Sequence, residues 1–149
     1  MTHPRITKRF TFEMAHALRG YAGPCGHIHG HSYVLEVSVS GPLRAPGDLH
    51  EGMVMDFGKL KTLVHRAVLL HYDHALVLHT HDRAAIPVDH PLFASTLFVP
   101  WQPTCENLLH DMVQRIVPLL PTDAQLIHAR LQETATCWAE YIPELPPPH

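Results

Sequence analysis

The sequence predicts an α+β fold, on three observations. Two segments of alternating apolar residues lie in the first third of the chain, two amphipathic helical patterns fill its middle, and another alternating segment closes it. With 149 residues and 46% hydrophobic content, the chain suits one domain, residues 1–149, with a single core.

Residues 5–16, RITKRFTFEMAH, put Phe10, Phe12, Met14 and His16 on one face of an extended chain. His16 therefore closes an apolar stripe. After the turn-rich GYAGP, the run HSYVLEVSVSG sets Tyr33, Leu35, Val37 and Val39 on one face of a second strand, and Gly41, Pro42, Pro46 and Gly47 mark a loop. In MVMDFGKLKTLVHRAVLLHYDH, Asp56 serves as N-cap to a helix whose apolar face is Leu60, Leu63, Val64, Ala67, Val68 and Leu70. Its end delivers Asp73 and His74. Residues 75–93 read as an irregular loop, leading into STLFVPW as a short third strand. Thr104 caps a second helix, Glu106 suits the positive end of its dipole, and Leu108, Leu109, Met112, Val113 and Ile116 form its buried face. The last strand, within AQLIHARLQETAT, aligns Ile127, Ala129, Leu131 and Glu133, and the Pro-rich tail, residues 142–149, is expected to be flexible.

Composition excludes several classes. A formal charge of -3 without a basic block gives no nucleic-acid footprint. No apolar run approaches the ~20 residues that span a bilayer, and the N-terminus lacks a secretory h-region, so no membrane and a cytoplasmic location are expected. Three cysteines, Cys25, Cys105 and Cys137, are too few and odd in number for a disulfide framework. Histidine, at 15 residues spread along the chain, raises the prospect of metal chemistry.

That chemistry points to PCGHIHGHSY, residues 24–33, where Cys25 precedes His27, His29 and His31. In a straight strand the outer two histidines lie roughly 13 Å apart, too far to share an ion, whereas an i, i+2 pair can. A third ligand must then come from elsewhere. His16 is the natural candidate, because a lone imidazole ending an apolar face needs a polar partner. Three histidines without a fourth protein ligand leave an open position, the arrangement of a catalytic zinc.

Six segments together resemble a known family, the 6-pyruvoyl-tetrahydropterin and 6-carboxytetrahydropterin synthases. They are FEMAH (12–16), CGHIHGHSY (25–33), MDFGKLK (55–61), YDHALV (72–77), PTCENL (103–108) and QETAT (132–136), in order over most of the chain. The resemblance implies Zn2+ on His16, His29 and His31, with His27 a bystander. It implies Cys25 as the catalytic thiol, Asp73 and His74 as proton-handling partners, and Glu133 as anchor of a pterin ring, with the Thr104 and Glu106 segment beside that ring. Chemistry agrees: a thiolate near Zn2+ can act as base, a carboxylate can orient an imidazole, and a carboxylate matches two parallel ring donors. Plainer readings exist for each. Asp73 and His74 suit a helix end, Glu133 a surface ion pair, and Thr104 and Glu106 a cap.

The short gap between Cys25 and His29 resembles the 6-carboxy members, associated with queuosine and deazapurine biosynthesis. The implied reaction converts 7,8-dihydroneopterin triphosphate to 6-carboxy-5,6,7,8-tetrahydropterin with loss of acetaldehyde and triphosphate. A pyruvoyl-forming enzyme, which releases no acetaldehyde, is the alternative, and a His-rich metal-binding module without activity is a third reading. The module predicts several exchangeable ions and tolerance of Cys25→Ala. The fold implied is the tunnelling fold, a four-stranded antiparallel sheet with two helices on one face, assembled as a homohexamer, a dimer of trimers. Sites would lie at subunit interfaces, with Glu133 serving a metal on a neighbouring chain. The long 75–102 stretch departs from the family pattern, so no triphosphate contacts are assigned.

Overall fold

A computed structural model describes residues 3–144; residues 145–149 of the tail expected to be flexible lie outside the described residues. The six strands are β1 (Arg5–His16), β2 (His29–Ser40), β3 (Leu76–His79), β4 (Thr96–Val99), β5 (Gln125–Thr134) and β6 (Cys137–Tyr141). They form one sheet in the order β4-β3-β1-β2-β5-β6. Helix α1 (Phe57–Val64) continues through a π-helical segment (His65–Leu69) into the short α2 (Leu70–Tyr72), and α3 is Cys105–Ile116.

The expected four-stranded antiparallel sheet is therefore corrected to a mixed one of six strands. β2, β5 and β6 run antiparallel to their neighbours, but β3 lies parallel to β1 and β4 parallel to β3. Parallel neighbours need a crossover rather than a hairpin, and residues 80–95, with two 3-10 turns, supply it between β3 and β4. The stretch read as an irregular loop thus hides a strand, because LVLH is too short to display a period. β6 was also not anticipated; it returns immediately after Thr134 to pair with β5.

α1 and α2 pack on β1, and α3 on β5 and β6. Phe10, Phe12 and Met14 meet Tyr33, Leu35, Val37 and Val39 in one core with Leu60, Val64, Val68, Leu108, Met112, Val113 and Ile116. Alternation on β1 and β2 and the 3.6-residue period of α3 account for that set. On β5 the expected face slips: Ser38 pairs with His128 but Val39 with Leu126, so a bulge leaves Ile127 half-buried and gives its core place to Leu126. Beyond the bulge, Ala129 and Leu131 face inward as expected.

Candidate active site

β1 and β2 bring two imidazoles together by register alone, for His16 pairs directly with His29 and Met14 with His31. Because side chains alternate, His31 projects from the same face as His29. His27 precedes the strand, at the end of a 3-10 turn (Pro24–Gly26), and its side chain does not join them. Ring centroids of His16, His29 and His31 lie 4.6 to 5.2 Å apart, and one ligand nitrogen from each falls within 4.8 Å of the others.

Three observations fit this set to a cation such as Zn2+. Nδ1 of His16 lies 2.7 Å from the Pro103 carbonyl, and Nδ1 of His29 lies 2.7 Å from the His27 carbonyl. A carbonyl only accepts, so each Nδ1 carries the proton and each Nε2 keeps a free lone pair. Nε2 of His31 is buried without a hydrogen-bond partner, which suits a nitrogen that binds a metal. Burial also holds the His16 and His31 imidazoles below their ordinary pKa, despite the opposing pull of Glu133, so they favour the neutral form that binds metal. Among the described residues no other group of three metal-competent side chains converges. His79 and His81 meet edge-on with centroids 4.6 Å apart, but there His79 Nδ1 accepts from the His81 backbone N–H.

Glu133 reaches the same place from β5. Its Oε2 is 3.8 Å from His16 Nε2 and its Oε1 3.7 Å from His31 Nε2. The expectation that Glu133 serves a neighbouring chain's metal is corrected: β5 borders β2 in the same sheet, so its carboxylate meets its own chain's imidazoles. At Glu133 the β5–β6 register shifts, with Gln132 opposite Trp138 and Thr134 opposite Cys137. Alternation carries Glu133 inward after Ala129 and Leu131, and the bulge leaves it without a partner on β6.

A cavity of about 310 Å³ opens beside this cluster and is lined by His16, Cys25, Thr104, Glu106 and Glu133. Five of the nine residues expected at the site thus share one space. Cys25 sits half-buried in its 3-10 turn, held by a hydrogen bond from Leu18 N–H to the Cys25 carbonyl. Thr104 also caps α3, its Oγ1 accepting from Asn107 N–H at 3.2 Å, so its two readings coexist. Cys105 and Cys137 line the cavity as well, though only Cys25 was anticipated. Burial, reinforced by Glu133, pushes the Cys105 thiol up to about 12, and it donates to the Leu131 carbonyl, so it packs rather than reacts.

Asp73 and His74 stand apart. Asp73 Oδ1 lies 2.9 Å from His74 Nδ1 and accepts from Glu13 N–H, while His74 N–H donates to the Glu13 carbonyl. These bonds hold His74 at φ 62°, a conformation uncommon outside glycine. Its ring is largely exposed and lines a second cavity, about 360 Å³, with Glu13, Gly30, His31 and Ser32. Sequence reasoning also missed the polar end of Tyr33. Its hydroxyl donates to Glu133 Oε2 at 3.1 Å and lies 3.4 Å from His16 Nε2. Its place two residues after His31, on the same strand face, was the available signal.

Residues 5–144 match the family described as 6-pyruvoyl tetrahydropterin synthase. The chain belongs to that family. Within it, the chain is 37% identical to a 6-carboxy-5,6,7,8-tetrahydropterin synthase of Haemophilus influenzae, over 92% of this chain and 97% of the relative. It is 30% identical to a protein of the same name from Rickettsia typhi, over 91% and 98%. Among solved structures, the fold resembles an uncharacterized protein of Wolinella succinogenes (TM-score 0.77, 19% identity, 97% and 100% of the two chains). It also resembles the Caenorhabditis elegans 6-pyruvoyl tetrahydropterin synthase (TM-score 0.66, 24% identity, 97% and 99%). These family relationships make the chain a pterin-synthase-type enzyme. No helix among the described residues is long and apolar enough to cross a membrane.

Proposed function

We propose that the protein is a zinc-dependent 6-carboxy-5,6,7,8-tetrahydropterin synthase. The substrate would be 7,8-dihydroneopterin triphosphate, taken with water to 6-carboxy-5,6,7,8-tetrahydropterin, acetaldehyde and triphosphate, a carbon-carbon lyase step suited to queuosine and deazapurine biosynthesis. One observation carries the reading: the ligand nitrogens of three imidazoles converge to within 4.8 Å, and one of the three, His16, lines the same cavity as the Cys25 thiol and the Glu133 carboxylate. Two more favour the 6-carboxy product over a 6-pyruvoyl one, the short Cys25 to His29 gap and the names of the curated relatives.

His16, His29 and His31 would hold Zn2+, which would supply Lewis acidity toward the side-chain hydroxyls of the substrate. Cys25, across the same cavity, takes a proton from a side-chain carbon. Glu133 accepts the paired N–H groups of the aminopyrimidinone edge, and Thr104 and Glu106 border the ring. Asp73 fixes the His74 tautomer at Nδ1, which leaves Nε2 to give or take the second proton. Because His74 does not line the cavity that holds Cys25 in its own chain, the dyad best serves a site on an adjoining copy, in a homohexamer built as a dimer of trimers.

Incubation of the purified protein with dihydroneopterin triphosphate tests the reading. Acetaldehyde released in step with 6-carboxy-5,6,7,8-tetrahydropterin is expected. Clean formation of a 6-pyruvoyl product without acetaldehyde would overturn the reaction, and neither product, with several loosely held metal ions per chain, would favour the non-enzymatic reading.

A further inference from the structure

Tyr33 is fully enclosed, and its ring stacks on Phe12 at 5.4 Å between centroids with 11° between planes, which leaves the phenol one position. Both His16 and His31 meet that ring edge-on. From there its hydroxyl donates to Glu133 Oε2 at 3.1 Å. The carboxylate so held stands 3.8 and 3.7 Å from Nε2 of His16 and His31, yet carboxylate oxygens are ordinary zinc ligands. Untethered, Glu133 would compete for the open position of a cation bound there, and a carboxylate committed to metal is lost to the ring.

We propose that Tyr33 is a positioning residue acting through Glu133: its hydroxyl holds the carboxylate off the cation bound by His16, His29 and His31 and presents it to the pterin edge. This rests on the pterin-synthase reading above. It also explains why a polar group occupies the core face of β2, where Leu35, Val37 and Val39 are apolar. A hydrogen bond to a charged acceptor supports a roughly tenfold to hundredfold effect on ring affinity.

The test uses the oligomer as purified, loaded with Co2+ in place of Zn2+ for its visible absorption, and neopterin, which lacks the triphosphate, as ring probe. Tyr33→Phe is expected to shift the cobalt bands as Glu133 becomes a ligand and to weaken neopterin binding by roughly tenfold or more. Glu133→Gln is expected to leave the bands as in the wild type, since the group it replaces is not a ligand. Adding Tyr33→Phe to Glu133→Gln is then expected to change them no further.

Unchanged bands and unchanged neopterin affinity in Tyr33→Phe would overturn the proposal. So would a band shift in Glu133→Gln, or an equal shift by Tyr33→Phe in both backgrounds, which would place its action on the imidazoles. Should Tyr33→Phe not fold, the Glu133→Gln spectrum still decides. A wild-type protein that takes up neither cobalt nor neopterin would instead defeat the pterin-synthase reading, and this inference with it, before any variant is compared.

Discussion

At the residue scale, the proposed site divides labour between side chains that would hold a metal and side chains that would react. The imidazoles of His16 and His29 are locked through Nδ1 by backbone carbonyls, whereas Cys25 has no place among the converging nitrogens. Metal content and turnover should therefore separate. His31→Ala is expected to drop zinc from about one ion per chain to near zero. Cys25→Ala should keep its zinc and lose turnover by roughly a hundredfold or more. Metal analysis beside the acetaldehyde assay checks both, and loss of zinc in Cys25→Ala would make the thiol a ligand instead.

Burial of imidazoles also sets a pH dependence in the metal-free protein. His16 and His31 titrate below 6.5 when folded, chiefly through burial, and His71 does so through burial and then Arg115. Below pH 6.5 the unfolded chain thus binds protons that the folded one does not, so stability falls as pH drops through that value and toward the folded ones. Urea midpoints of chelator-treated protein should be lower at pH 5.5 than at pH 7.5. An equal midpoint at both would mean that these rings are already protonated in the fold.

At the element scale, the strands deliver the three clustered imidazoles and the turns aim the rest. The 3-10 turn carrying Cys25 is closed by Gly26, where a Cβ would lie 2.3 Å from the Tyr21 carbonyl oxygen. No side-chain adjustment relieves a clash with backbone. Gly26→Ala is expected to displace the thiol and cut turnover at least tenfold while His16, His29 and His31 keep their metal, a split that kinetics and metal analysis together reveal. Legibility at this scale followed periodicity. β1 spans the predicted residues, and α3 begins directly after its predicted cap, since both patterns are long and clean. β3, with four residues, and β6, directly after a turn, were too short to announce themselves. The bulge at Ile127 moved the core face of β5, because it arises from pairing with β2 and leaves no mark in the β5 sequence.

At the scale of the whole molecule, the sheet ends on β4 and β6, whose outer edges are unpaired among the described residues. Unpaired edges invite pairing with another copy, and Trp138 on β6 is 48% exposed. The proposed assembly joins the Cys25 cavity of one chain to the His74 of another. Mixing Cys25→Ala with His74→Ala under conditions that exchange subunits should then restore activity that neither has alone, with roughly a quarter of sites intact under random pairing. No recovery in demonstrably mixed oligomers would return Asp73 and His74 to a structural role beside β1.

The residues of the histidine cluster and the α+β class could be read from the chain, because a donor set and an alternating apolar face are local properties carried by spacing. Which nitrogen of each ring is free, why Glu133 lies beside its own histidines, and why Asp73 and His74 face elsewhere depended on folding. Those are consequences of strand pairing and register and of hydrogen bonds between residues as distant as His16 and Pro103, which the order of residues along one segment does not encode.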